Sequence, residues 1–401
     1  MGMTNGTKPR VAVVGAGIGG LTLALALLQR GIPVNVYESA SELREVGAGL
    51  HCTPNGTRVM FALGLEAPLT RVADRPTERD VRLWNTGQAW QLPGHGTTSV
   101  ERYGVPYLLL YRPDLVAVLA DAINARDPSV VHLGATCVGF EQGETGVELI
   151  LKSGERVAAD VLVGADGIHS MVRDRLFGPT APVFTGDICW RGLVPMERLP
   201  RQSRTQVSNW IGPNGSITLY PIRGGALLNV VAVTERDDWQ RESWTEQGTH
   251  EECLSDFPGW HEDIHEILRN IDVPYKWGLF LREPSAQWSE GRATLLGDSC
   301  HSTLPYLGQG GNLAMEDGLI LARCLEKYAA DPRAGLLVYE NERRQRAADI
   351  VRQSSGQAKL VRSKRLGDPD AAHYVEETWA PRNVGARYDW IFDYDASRVE
   401  L

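Results

Sequence analysis

The run Val11 to Glu38, VAVVGAGIGGLTLALALLQRGIPVNVYE, decides how the rest of the chain is read. Val11–Val14 is short, apolar and β-branched, as a strand buried in a parallel sheet would be. It runs into Gly15-x-Gly17-x-x-Gly20. Leucines and alanines then recur as far as Gly31, which stops the predicted helix. A second strand, Val34–Tyr37, ends on Glu38. This is a βαβ unit suited to a dinucleotide. Gly15 permits the tight turn, Gly17 lets a pyrophosphate approach the backbone, and Gly20 lets helix pack on strand. Ile18 and Gly19 sit at the helix N-terminus, where free N–H groups and the positive dipole end favour an anion. Glu38 is placed to accept from both hydroxyls of an adenosine ribose. The stretch alone does not separate FAD from NAD.

Working outward, Leu43-Arg44-Glu45-Val46-Gly47-Ala48-Gly49-Leu50 suggests a bend where backbone meets a ligand. Pro54 opens a helix ending at Gly64, residues 81–111 read as strands and loops, and Arg112-Pro113-Asp114 starts another helix. Strands are expected at 130–133, 137–141 and 147–151, with a hairpin turn at Lys152–Glu155. Val161–Val163 runs into Gly164-Ala165-Asp166-Gly167. From Phe184 strand-like runs dominate, including 217–220 and 226–233 joined by Arg223-Gly224-Gly225, with short helices near 249–256 and 260–269. Strand character returns at Ala293–Leu296, before Gly297-Asp298. Long helices are expected over 312–328 and 336–360. The aromatic tail Trp390–Tyr394 is expected to dock on the body.

The chain has 401 residues and a formal net charge of −9, which argues against nucleic acid as a partner. No apolar run approaches a membrane span, and residues 1–10 lack the apolar core of a signal peptide. Six scattered cysteines without a CxxC fit a reduced, cytoplasmic protein.

Three distant segments fit one ligand: Gly15–Glu38; Ala165-Asp166-Gly167 with Ile168-His169-Ser170-x-x-Arg173; and Gly297-Asp298-Ser299-Cys300-His301, continuing to Pro305-Tyr306-Leu307-Gly308-Gln309-Gly310-Gly311-Asn312. With these in order, the chain resembles the class A FAD-dependent aromatic hydroxylases over nearly its whole length. Trp190–Pro195 and Tyr220–Gly225 bring it nearest the salicylate and 3-hydroxybenzoate hydroxylase branch.

The resemblance implies an α/β fold. A Rossmann-like FAD-binding domain (8–180 and 291–401, the latter with a C-terminal helical arm) would carry an inserted antiparallel substrate sheet (181–290). It implies FAD as cofactor and NADH or NADPH as co-substrate. The activity implied is hydroxylation of a small phenolic or N-heteroaromatic acid by O2 through a flavin hydroperoxide, in a monomer or homodimer. Glu38, Arg44, Ala48, Arg112, Asp166, Gly167 and Asp298 match cofactor positions. A bare carboxylate beside a pyrophosphate would repel it, so Asp298 is expected on a ribityl hydroxyl. Gly310-Gly311-Asn312 opens a helix whose N–H groups would face the flavin pyrimidine. Pro305 matches a proline at the flavin edge, and Tyr220 a pocket phenol.

Two departures stand out. His301-Ser302 replaces a His-Pro pair, and Ser216 replaces a histidine four residues before Tyr220. Even spacing in a strand still puts Ser216 on the Tyr220 face, so it is expected to line the pocket. Two other patterns carry different chemistry. His261-Glu262-Asp263-Ile264-His265 is a literal HExxH, but no third ligand follows, so no metal is expected. Asp298, Ser299 and His301 lack the GxSxG elbow of a hydrolase. The same machinery acting on a purine or a natural-product phenol, or a flavin-binding sensor without catalysis, are the alternatives.

Overall fold

The computed structural model describes residues 8–43, 48–76, 78–92, 98–200, 206–236, 238 and 246–401. The opening unit forms as its pattern dictates: β1 (Val11–Val14), α1 (Ile18–Gln29) and β2 (Val34–Tyr37). All of Ile18–Leu27 is buried, so α1 is a core helix covered on every side rather than an amphipathic one. β3 (Gly49–Cys52) follows, then α2 (Pro54–Ala62), α3 (Glu66–Val72), β4 (Arg79–Leu83), β5 (Ala89–Gln91), α4 (Thr98–Tyr103), β6 (Leu108–Tyr111) and α5 (Arg112–Asn124). A proline in the first turn opens both α2 and α5, where its missing N–H costs nothing.

Four short strands come next, β7 (Val131–His132), β8 (Cys137–Gln142), β9 (Val147–Leu151) and β10 (Arg156–Ala159), then β11 (Val161–Gly164) and α6 (Met171–Phe177). The long β12 (Val183–Pro195) leads to β13 (Val207–Gly212), β14 (Gly215–Ile222) and β15 (Leu227–Glu235). The remaining elements are α7 (His250–Ser255), α8 (Glu262–Arg269), β16 (Tyr275–Leu281), β17 (Ser289–Glu290), β18 (Ala293–Leu295), α9 (Asp298–His301), α10 (Gly310–Lys327), α11 (Pro332–Val361), α12 (Ala371–Thr378) and α13 (Pro381–Phe392).

Two sheets position the site. The first has the order β17-β18-β11-β1-β2-β7, with β18, β11, β1 and β2 parallel. The turns after β1, β11 and β18 therefore leave adjacent strands at one edge, the carboxyl edge where open α/β sheets hold ligands. That is why three segments separated by more than a hundred residues meet.

The second sheet has the order β16-β12-β15-β14-β13-β4-β5. It is antiparallel except where β13 runs parallel to β4, and residues 79–91 supply its last two strands. Its faces differ through simple alternation. Ile217 and Leu219 pack with Phe257 and Ile264 beneath α7 and α8. Thr218 and Tyr220 point the other way, into a cavity. The tail docks as its aromatic content predicts: Ile391 and Phe392 are buried, and Arg58 donates to the carbonyls of Phe392 and Tyr394.

Candidate active site

The carboxyl edge of the first sheet opens onto one end of a long trough. This end is lined by Gly15, Gly17, Glu38, Ala165, Asp166 and Gly167, among others. Gly15 has φ +104°, and a Cβ there would stand 2.4 Å from the Ala165 carbonyl oxygen, so no other residue fits. A Cβ at Gly20 would lie 2.1 Å from the Gly15 carbonyl oxygen, which confirms its use in helix–strand packing. A Cβ at Gly17 would meet nothing within 4 Å. The trough passes directly over this backbone. Glu38 accepts from Ala16 N–H and Ala40 N–H at 2.8 Å each, so its carboxylate is fixed at the trough's end. Asp166 accepts from Ser170 Oγ (2.5 Å) and Val172 N–H (3.2 Å), tying this wall to α6. Burial raises its pKa, and those two bonds offset part of the rise.

Gly17, Ala165 and Gly167 are shared with a second cavity of about 320 Å3, which continues the trough to the seven-stranded sheet. That size falls in the range of small-molecule sites, roughly 300–1,000 Å3. Ile18 and Gly19 at the start of α1, and Gly310 and Gly311 at the start of α10, both open onto it. Two helix N-termini thus face one space, with the Arg112 guanidinium beside them. Asp298 faces the same space. Its side chain is accessible, while the surrounding walls raise its pKa and His301 and Arg112 pull it back. A cradle of open glycine backbone, two positive helix ends, a carboxylate at the far end and an unbroken trough between them fit an extended dinucleotide such as FAD.

Ala48 and Asn312 act from behind the wall. The Ala48 carbonyl accepts from Arg112 N–H at 2.9 Å. The buried Asn312 amide accepts from Thr53 N–H (3.0 Å) and donates to the carbonyls of His51 and Gly308 (2.8 Å each). Its side chain braces β3 against the glycine loop rather than lining the cavity. Arg44 lies outside the described residues.

The floor facing α10 is built from cross-strand rows. Arg191 (β12), Val231 (β15), Thr218 (β14) and Asn209 (β13) form one row through their pairings. Tyr220 pairs with Asn229 in the next, and Arg79 on β4 lies beyond. Tyr220 lines the cavity with 3 % exposure, and burial pushes its phenol up to about 12, so it is neutral near pH 7. Gly49 of β3 lies against it: a Cβ there would be 2.4 Å from Tyr220 Cε2. Gly49 N–H donates to Asn229 Oδ1 (2.7 Å), and its carbonyl accepts from Arg191 Nη2 (3.1 Å). This contact brings His51, two residues on, edge-to-face with Tyr220 at 4.2 Å between ring centroids. His51 Nδ1 and the Tyr107 hydroxyl are 2.6 Å apart. Pro305 lines this cavity and a smaller one on its other side, walled by Trp277 and Phe280.

Ser216 shares the Tyr220 face, as even spacing requires. It sits one pleat beyond Thr218, however, and Thr218 is the residue that reaches the cavity. An imidazole does stand in the cavity lining, that of His51, which comes from β3. Sequence reading passed over His51 because only its place just after the bend Gly47-Ala48-Gly49 marked it.

The other patterns resolve structurally. His261 caps α8, its Nδ1 accepting from Asp263 N–H at 3.2 Å, and His265 Nε2 bonds the Phe257 carbonyl at 2.8 Å. Ser299 Oγ donates to the Gly164 carbonyl at 2.7 Å and accepts from Leu296 N–H, which locks the turn carrying Asp298. His301 Nε2 lies 2.5 Å from Asp317, not near Ser299 Oγ as a triad would need. Cys300, His301 and Asp317 are close enough for a metal, but Arg343 Nε already bonds Asp317 at 2.8 Å and fills the cation's place.

Comparisons with known proteins agree with this geometry. The family model described as an FAD binding domain matches residues 8–354. A 3-amino-4-hydroxybenzoate 2-monooxygenase of Streptomyces platensis is 40% identical over 393 residues, covering 98% of both chains. A 6-hydroxynicotinate 3-monooxygenase of Pseudomonas fluorescens is 31% identical, over 98% of this chain and 97% of the relative. Among solved structures, a salicylate hydroxylase substrate complex superposes with a TM-score of 0.81 at 26% identity, over 98% of this chain and 97% of that one. With a cofactor trough, a neighbouring aromatic cavity and full-length relatives all in accord, the chain belongs to the FAD-binding family of aromatic monooxygenases.

Proposed function

We propose that the protein hydroxylates an amino- or hydroxy-substituted benzoate, using O2 and NAD(P)H. The observation that carries the reading is the lining of the cavity. Among the described residues, three guanidiniums (Arg79, Arg112, Arg191) face it against the carboxylate of Asp298, beside His51, Tyr107 and Tyr220. Such a space concentrates anionic aromatics. The first relative named above acts on 3-amino-4-hydroxybenzoate, which has a carboxylate and a phenol on one ring.

The positions of the lining residues support these roles. Glu38 would hold the adenosine ribose, the backbone at Gly17–Gly19 and Arg112 would meet the pyrophosphate, and Asp298 would accept from a ribityl hydroxyl. Gly310 and Gly311 would present N–H groups to the flavin pyrimidine. Bound FAD supplies the oxygen chemistry: the acid, O2, NAD(P)H and a proton give the hydroxylated acid, NAD(P)+ and water. The ring reacts best as phenolate, and His51 is the group placed to take its proton, with Tyr107 as the next step outward. Tyr220 holds the phenol oxygen through a hydrogen bond. Phe392 and Tyr388 help exclude water from the cavity. The six cysteines are unpaired, which supports a reducing, cytoplasmic setting.

The test is NAD(P)H oxidation by the FAD-loaded protein with 3-amino-4-hydroxybenzoate, 6-hydroxynicotinate, 3-hydroxybenzoate and salicylate in turn. The expected outcome is strong stimulation by at least one acid, with a product heavier by one oxygen. No stimulation by any of them would remove the reading.

A further inference from the structure

We propose that Arg79 is the carboxylate anchor of this cavity, so the substrate lies with its acid toward β4 and its phenol toward His51 and Tyr220. The inference rests on the function proposed above and adds the orientation of the ring.

Strand alternation isolates Arg79. The neighbouring carboxylate, Asp80, points to the opposite face of the sheet, where it is held by Ser208 and Arg82. On the cavity face, the groups that bond or stack on Arg79 are neutral, and the charge near it is a second cation, Arg387. With the Asn209 amide oxygen turned toward it, Asn209 accepts from Arg79 Nε at 3.1 Å and Nη2 at 2.7 Å and donates to Thr218 Oγ1 at 3.0 Å. The guanidinium carbon lies 5.9 Å from the Tyr388 ring centroid. Among the described residues no carboxylate pairs with Arg79. A guanidinium on a largely enclosed aromatic wall, steered by a neutral amide and retaining N–H donors, is built to meet an anion as a fork.

The other two guanidiniums are engaged differently. Arg112 stands beside the cofactor backbone with Asp298 near it. Arg191 donates to the Gly49 carbonyl and lies 5.6 Å from the Trp277 ring centroid, at the border with the smaller cavity. Arg191 is also hydrogen-bonded to Tyr220, so its donors are committed at the phenol end, and Arg79 is the guanidinium left to meet the acid. Arg191 and Pro305 share the smaller cavity and Arg79 does not, so an acid held at Arg79 would leave the phenol toward the Pro305 side.

The test is a titration followed by the absorbance of bound FAD, with 3-amino-4-hydroxybenzoate and its neutral amide, 3-amino-4-hydroxybenzamide, as probes. The wild type is expected to prefer the acid. Arg79→Gln should weaken acid binding by about ten- to a hundred-fold, the range for a lost charge-assisted bond, and leave the amide within about two-fold. Arg79→Lys, which keeps the charge without the fork, should fall between and covers the case in which Arg79→Gln fails to load FAD. Arg191→Gln should keep the preference for acid over amide. The proposal is overturned if Arg79→Gln retains that preference, if it weakens both probes alike, or if Arg191→Gln alone abolishes it. A wild type that binds neither probe, with no acid stimulating NAD(P)H oxidation, would overturn the function itself. That result is read without any variant, so the two failures are distinct.

Discussion

Single side chains divide the work in the cavity. Tyr220 is neutral and buried, so it contributes one hydrogen bond rather than a charge. Tyr220→Phe should retain FAD and lose between about three- and a hundred-fold in kcat/KM, as its partner is a neutral phenol or a phenolate. Peroxide released per NAD(P)H consumed should rise, because a loosely held ring lets oxygen chemistry run without it. Ser216→Ala, one pleat outside the lining, should leave kcat/KM within about two-fold; a larger loss would place Ser216 in the site after all. For His51, replacement by Gln removes the proton acceptor, and kcat/KM should fall by roughly a hundred-fold or more at unchanged FAD content. Wild-type turnover in that variant would move the proton path elsewhere. These residues show what a sequence reveals. Tyr220 was legible through the family resemblance, and alternation put Ser216 on the same face. His51, Tyr107, Arg79 and Asn209 were not, because their meeting depends on long-range register between strands that carry no local signal of it.

At the scale of elements, α10 and α11 hold the glycine loop and the Asp298 turn through a buried charge network. Arg343 lies 2.6 Å from Glu316 and 2.8 Å from Asp317; Arg346 also pairs with Glu316, and His301 with Asp317. Asp317 also accepts from Gly297 N–H at 3.1 Å, beside Asp298. Arg343→Met would leave two buried carboxylates with less compensation and should cost about 3–5 kcal/mol in unfolding free energy. Unchanged stability would mean that Arg346 and His301 suffice. Burial alone would raise the pKa of Glu316 and Asp317 and lower that of His301, but the paired charges win, so both carboxylates are depressed and His301 is raised. The signs set a pH window. The carboxylate contribution is present above their unfolded values and is lost as pH falls through the depressed folded values. The His301 contribution is full below its unfolded value, about 6.5, and is lost as pH rises through the raised folded value. The melting-temperature advantage of wild type over His301→Gln should therefore shrink as pH rises above that point; an advantage that grows would refute the network's polarity. The two long helices were legible in outline, expected over 312–328 and 336–360 and found at Gly310–Lys327 and Pro332–Val361. Short ones such as α3, α4 and α6 were not, since six or seven residues give a helical period too little length to show.

For the whole molecule, function depends on two sheets brought edge to face. The first supplies the cofactor trough, and its turns were legible because each glycine pattern is local. The second supplies the floor, which includes strands β4 and β5 from much earlier in the chain. The docked tail adds Tyr388 and Phe392 to the lining. FAD content reports most directly on the turns of the first sheet. Gly15→Val forces a side chain into the Ala165 carbonyl, and Asp298→Ala removes a cofactor partner, so each should purify with little flavin. Full flavin content in both would place the cofactor elsewhere. The junction of the two sheets, where cofactor and acid meet, is tested most directly by turnover under isotopically labelled dioxygen with the acid that best stimulates NAD(P)H oxidation. One labelled oxygen atom in the product ring is the predicted result; an unlabelled product, or peroxide as the sole fate of the dioxygen, would contradict it.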